Sequence, residues 1–155
     1  TVAKVDLDRY AGKWFEIARF PNRFQKKCAG EVTAEYVRRP DGRLDVINRC
    51  RLADGRVDEA QGIARVATVD GSNAKLQVRF APAWLSFLPV WGDYWVLELA
   101  DDYSYAVVGD SGRDYLWVLA RTPRLSDGVY EDLKARVAAK GFDVSRLEKT
   151  RQALE

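Results

Sequence analysis

Short clusters of turn-forming residues punctuate this chain at nearly even intervals: Pro40-Asp41-Gly42, Asp54-Gly55, Asp70-Gly71-Ser72-Asn73, Asp101-Asp102 and Asp110-Ser111-Gly112. Each supplies the left-handed or side-chain-capped positions that a tight reversal needs. The runs between them alternate with period two rather than 3.6. Leu44, Val46 and Asn48 alternate with Asp45, Ile47 and Arg49, and Leu76, Val78 and Phe80 with Gln77 and Arg79. Eight short strands follow: Trp14–Phe20, Val32–Val37, Arg43–Cys50, Val57–Ala67, Lys75–Phe80, Tyr94–Leu99, Tyr105–Gly109 and Tyr115–Ala120. Hairpin connections without a long crossover predict an all-β fold, an eight-stranded antiparallel up-and-down barrel rather than a sandwich. A chain of 155 residues is accommodated as one domain, residues 1–155.

One segment departs from the strand pattern. Tyr130, Leu133 and Val137 recur at helical spacing, with Lys134, Arg136 and Lys140 on the other side. Ser126 or Asp127 can cap its start, and Gly141 suits its C-terminal end, so a helix from about 127 to 140 is expected. Its apolar stripe needs a wall. The last two strands are apolar on both faces, which assigns Ala106, Val108, Leu116 and Val118 to the helix and Tyr105, Val107, Trp117 and Leu119 to the interior. The tail at Asp143-Val144-Ser145 is read as a short edge strand.

Simple up-and-down alternation sorts the connections by end. Segments 21–31, 53–55, 81–91 and 110–113 fall at one end, which carries the long loops; 40–42, 70–73 and 101–103, with Asp6–Tyr10, close the other. A barrel of eight strands either fills its interior with side chains or holds one small ligand. The inward set of the fourth strand, Ala60, Gly62, Ala64 and Val66, is small and favours a cavity.

Composition narrows the chemistry. The count of His is 0, which removes the usual neutral-pH general base, the Ser-His and Cys-His couples and the commonest zinc ligand. No metal site or cofactor is expected. Lys+Arg 25 against Asp+Glu 23 leaves +2 with both signs interspersed, so no nucleic-acid footprint appears. No apolar run is long enough to span a bilayer as a helix. The count of Met is 0, so Thr1 is read as a processed or trimmed end. Cys28, in the first long loop, and Cys50, ending the third strand, fall at the same end and are expected to form a disulfide, which suits an oxidising compartment.

Three motifs then occur in order. Gly12-Lys13-Trp14, within Tyr10–Ala18, resembles the Gly-x-Trp motif that opens the first lipocalin strand. Asp101-Asp102-Tyr103-Ser104-Tyr105 resembles the second lipocalin motif, with Asp where Thr is usual. Leu119-Ala120-Arg121-Thr122-Pro123 resembles the third. Ile17-Ala18-Arg19-Phe20, Val46-Ile47-Asn48, Asp114-Tyr115-Leu116-Trp117 and Gly141-Phe142-Asp143-Val144 are similar to the bacterial outer-membrane branch of that family. The resemblance implies that Gly12, Trp14, Asp102, Tyr103 and Arg121 are structural, with the Arg121 guanidinium over the Trp14 ring at the closed end.

Alternation assigns Ala18, Phe20, Leu44, Val46, Asn48, Ala64, Val66, Val78, Trp95, Leu97, Tyr105 and Trp117 to the cavity as ligand-binding residues. Asn48 and Tyr105 are the polar exceptions, and a buried polar group requires a partner such as a head group or water. The 81–91 loop is almost wholly apolar. Its Trp84, Leu85, Phe87, Leu88 and Trp91 fit a rim contact with a membrane surface or a second copy of the chain, or a lid over the mouth.

The expected partner is a hydrophobic small molecule. The resemblance implies storage or transport of a fatty acid, lysophospholipid or similar lipid in membrane maintenance, by a non-enzymatic protein exported to the periplasmic face of a bacterial outer membrane and lipid-anchored ahead of Thr1. The alternative is an enzyme modifying a lipid or pigment in the same cavity. Glu16, which shares the parity of Trp14, is then the candidate acid, and hydrogen bonding to Tyr or Arg is its structural role otherwise.

Overall fold

A computed structural model describes residues 1–21, 28–67, 71–81 and 91–152. Eight antiparallel strands form the wall. They are β1 (Gly12–Arg19), β2 (Cys28–Arg38), β3 (Leu44–Leu52), β4 (Val57–Val66), β5 (Lys75–Ala81), β6 (Gly92–Leu99), β7 (Tyr105–Gly109) and β8 (Leu116–Ala120). Each pairs with the next in sequence, and β1 pairs with both β8 and β2, so the sheet closes on itself. Closure leaves no long edge exposed. A short helix α1 (Leu7–Tyr10) precedes β1, and α2 (Asp127–Ala139) follows β8. A two-residue strand β9 (Glu148–Lys149) adds to β1.

The turn chemistry is as the sequence predicts. Carboxylates of Asp41, Asp54, Asp102 and Asp110 accept backbone N–H groups two to five residues ahead, which holds each reversal without help from the core. Ser126 caps α2 by accepting from the Val129 N–H. At the other end Gly141 adopts a φ of +94°, and a Cβ there would lie 2.8 Å from Arg113 Nε. Arg113 occupies that space because it donates to the carbonyl of Lys140 at the helix end.

Two apolar clusters lie on opposite sides of the wall. The interior cluster holds Trp14, Ala34, Tyr36, Leu44, Val46, Ala64, Leu76, Val96, Ala106, Val108 and Leu119, with Val5, Leu7 and Tyr10 rising from the closed end. The second holds Ile17, Ala18, Phe20, Leu97, Val107, Leu116, Val118 and Ala120 beneath Tyr130, Leu133 and Val137 of α2. A helix over half the barrel makes several strands apolar on both faces.

That double coverage overturns part of the inward assignment. Ala18, Phe20, Trp95, Leu97 and Tyr105, expected in the cavity, pack instead on the helix side. On β1 the cause is a bulge between Glu16 and Ala18, which reverses the parity set by Trp14. On β6 both faces are apolar, so alternation carries no information; Val96 pairs with Val108 and faces inward. On β7 the register pairs Val108 with Trp117 and Ala106 with Leu119, so Ala106 and Val108 are interior and Tyr105 and Val107 face α2. Leu116 and Val118 face α2 and Trp117 and Leu119 face inward, as expected. The tail also differs: residues 144–146 form a 3-10 turn capped by Asp143, and strand pairing begins at Glu148.

Candidate functional site

The closed end is built around a cation. The Arg121 guanidinium carbon lies 3.8 Å from the centroid of the Trp14 ring. Its N–H groups donate to the carbonyls of Tyr103, Lys13, Arg9 and Tyr10, and Trp14 Nε1 donates to the Tyr10 carbonyl at 2.8 Å. Burial lowers the Arg121 pKa, but carbonyl oxygens surround the charge. Gly12 is required here: at a φ of +104°, its absent Cβ would meet Arg121 Nη1 at 3.2 Å. Tyr103 takes a left-handed φ of 61°, and its hydroxyl accepts from the Asp6 N–H. Gly12, Trp14, Asp102, Tyr103 and Arg121 thus meet at the closed end, where they join the N-terminal segment to the wall.

Above this floor stands a group that alternation alone does not reveal. The Tyr94 hydroxyl lies 2.7 Å from the hydroxyl of Tyr10 and 2.7 Å from that of Tyr36. Tyr36 is on β2 and Tyr94 on β6, four strands apart in a ring of eight, so the contact joins opposite walls across the lumen. Burial pushes the Tyr36 pKa up to about 12 and those of Tyr10 and Tyr94 well above the ordinary phenol range. All three remain neutral donors at physiological pH.

Beyond the tyrosine group the lining of the lumen changes character. Strand register puts Asn48 opposite Ala60 and Cys50 opposite Asp58 on one face, with Ala64 opposite Val78. Asn48, Ala60, Val78 and Trp117 are inward yet only half-buried, as are Val66 and Tyr94 nearer the floor. Side chains of these sizes leave room that a filled core would not. Gly62 contributes less free space than its size suggests: a Cβ there would lie 2.7 Å from the Phe80 ring, which already occupies the position. Among the described residues, the Asn48 amide has no hydrogen-bond partner.

Cys28 and Cys50 are bridged, with Cα atoms 5.6 Å apart, and the bond ties the start of β2 to the end of β3 at the mouth. Beside it the C-terminal tail enters the gap where β1 and β2 separate. Gln152 donates to the carbonyls of Glu16 and Val32, and the Glu31 N–H donates to the Arg151 carbonyl at 2.6 Å. Glu16 is 2% exposed, and its carboxylate accepts from Arg19 and Thr150. It belongs to this clasp, which anchors the tail. Of the rim residues, Trp91 is half-buried and held between guanidiniums, 3.7 Å from Arg65 and 5.1 Å from Arg79. Trp84, Leu85, Phe87 and Leu88 lie outside the described residues.

Comparison with known proteins places these features. Residues 5–152 match the model of the Lipocalin-like domain. The chain is 39% identical over 153 residues to temperature-induced lipocalin-1 of Arabidopsis thaliana, covering 98% of this chain and 82% of that one. It is 41% identical over 146 residues to the outer membrane lipoprotein Blc of Escherichia coli, covering 94% and 78%. In structure it resembles lobster apocrustacyanin A1, with a TM-score of 0.72 at 20% identity over 95% of this chain and 79% of that one.

Proposed function

We propose a ligand on a firm premise: the chain belongs to the lipocalin family, matched over residues 5–152. Its function is the lipocalin one of binding a small hydrophobic molecule, and family members are typically binding proteins rather than enzymes. The finer reading is that the lumen holds a single-chain lipid, a fatty acid or lysophospholipid, for storage or transport. The observation that carries it is the set of inward but only half-buried side chains, Ala60, Val66, Val78 and Trp117, above a closed floor. Their apolar surface matches an acyl chain and offers no charge to a polar solute.

The energetics suffice. Burying about a dozen methylenes at ~0.8 kcal/mol each gives about 10 kcal/mol before ordering and association costs, enough for micromolar affinity. The Cys28–Cys50 bridge and the likeness to an outer membrane lipoprotein support an exported protein acting at a bacterial outer membrane. The apolar 81–91 segment supports contact of the mouth with a membrane surface, with a second copy as the competing partner. Mass spectrometry of an organic extract of the purified protein tests the ligand reading. A single-chain lipid at near-equimolar amount supports it, and an extract free of any hydrophobic small molecule, with no uptake on later exposure, contradicts it.

A further inference from the structure

Tyr10, Tyr36 and Tyr94 bring three hydroxyl protons to a group that contains two hydroxyl–hydroxyl contacts, each of 2.7 Å. Each contact uses one proton, whichever partner donates, so one O–H is left over. Tyr10 and Tyr36 are 3% and 5% exposed, whereas Tyr94 is the half-buried member. In the arrangement where both neighbours donate to the Tyr94 oxygen, the spare proton is that of Tyr94. A hydroxyl that accepts two hydrogen bonds is also a stronger donor through cooperative polarisation.

A second polar group lines the same lumen, one inward position further towards the mouth than the partner of Tyr36. Tyr36 is the register partner of Val46, and Asn48 is the next inward position towards the mouth on the same strand. Its amide is uncommitted among the described residues and can both donate and accept. Among the described residues, the inward side chains Ala34, Val46, Ala64, Val78 and Val96 around it are apolar. A purely hydrocarbon ligand would leave both groups unsatisfied in an apolar surround, at a cost in free energy.

We propose that the Tyr94 hydroxyl and the Asn48 amide form a polar seat in the lumen above the floor, selecting lipids that carry a neutral oxygen, keto or hydroxyl, far along the chain. This deepens the reading of the lumen as a lipid site and rests on it. A neutral oxygen fits because the donors are neutral and the seat is buried; a carboxylate there would lose its hydration without a paired cation. The depth sets the position. Val46 to Leu52 spans ~20 Å along the strand, about 15 Å of depth after the usual barrel tilt. At ~1.2 Å per bond of an extended chain, the oxygen sits about a dozen bonds below a head group at the rim.

The test compares stearic acid with its keto and hydroxy positional isomers on delipidated protein, by displacement of a fluorescent fatty acid. The isomer oxygenated about a dozen carbons from the carboxylate is expected to bind about tenfold tighter than stearic acid, by analogy with one satisfied hydrogen bond. Tyr94→Phe and Asn48→Leu each bring that ratio towards one, the two ligands being compared within each variant so that any general change in lipid affinity cancels. Infrared spectroscopy of the bound keto isomer supplies a readout on the wild-type protein alone: its carbonyl stretch shifts to the lower frequency of a hydrogen-bonded ketone. Equal affinities across the series, a ratio unchanged in Tyr94→Phe, or a free-ketone frequency in the bound state overturns the polar seat while leaving the lipid reading intact. Binding of neither stearic acid nor any isomer overturns both.

Discussion

Arg121 lies over Trp14 with its guanidinium carbon 3.8 Å from the ring centroid, and the same guanidinium donates to four backbone carbonyls from three segments. One side chain therefore joins the N-terminal segment, the start of β1 and the 101–104 turn. Arg121→Ala removes the cation–π contact and leaves buried carbonyls without donors, for an expected loss of about 3 kcal/mol. Arg121→Lys recovers little, because an ammonium cannot reproduce the planar fork. Urea denaturation midpoints check both, and a loss under ~1 kcal/mol in Arg121→Ala contradicts the assignment.

This pair was legible in the sequence because motif order and strand ends converge on it. The cysteine pair was legible because both residues fall at one end of a simple alternation. The lining was less so. Period-two alternation identifies an inward face only where the outer face is polar, as at Leu44–Arg49. On β6 and β7, α2 buries the outer face, so Trp95, Leu97 and Tyr105 carry the same apolar signal as Val96 and Ala106. The bulge after Glu16 reverses parity without any Gly or Pro to announce it. The tyrosine group joins residues 10, 36 and 94 across the barrel, a proximity that no local pattern encodes.

The disulfide carries a second expectation. It closes a loop with a sequence separation of 22, for which chain-entropy bookkeeping gives about 3 kcal/mol of stabilisation. Cys28→Ala/Cys50→Ala is expected to lower stability by that order while keeping the barrel. The native protein should show no thiol labelling until reduced, since no cysteine is free. Full labelling of unreduced native protein contradicts the bridge.

The tyrosine group predicts an alkaline limit to stability. Burial pushes Tyr36 up to about 12 and holds Tyr10 and Tyr94 well above the ordinary range, whereas unfolded tyrosines ionise near pH 10. The folded state then retains protons that the unfolded state releases, so the stabilisation is complete below pH ~10 and is lost as pH rises through ~12. Denaturation midpoints should be set by these hydroxyls only above pH ~10, and tyrosinate absorbance from this group should rise in step with the loss of near-ultraviolet circular dichroism. Ionisation of all seven tyrosines in the still-folded chain contradicts their burial.

Glu16 supplies a further check, because the clasp accounts for its burial without chemistry. Glu16→Gln weakens the contacts from Arg19 and Thr150 and should destabilise the protein by about 1–3 kcal/mol. Lipid uptake by the folded fraction should be unchanged. A loss of ester turnover in Glu16→Gln, against measurable turnover in the wild type, would restore the enzymatic alternative.

The central claim is that the lumen above the tyrosine group is the lipid site. Ala60 is inward, half-buried and opposite Asn48, so Ala60→Trp places an indole in that space while leaving the closed-end cluster untouched. Calorimetric titration of delipidated wild-type and Ala60→Trp protein with palmitate or lysophospholipid measures this directly. The account predicts micromolar binding near one ligand per wild-type chain and a loss of at least tenfold in Ala60→Trp at unchanged fold. Equal affinity in the two proteins, or no binding by the wild type up to millimolar ligand, would contradict it.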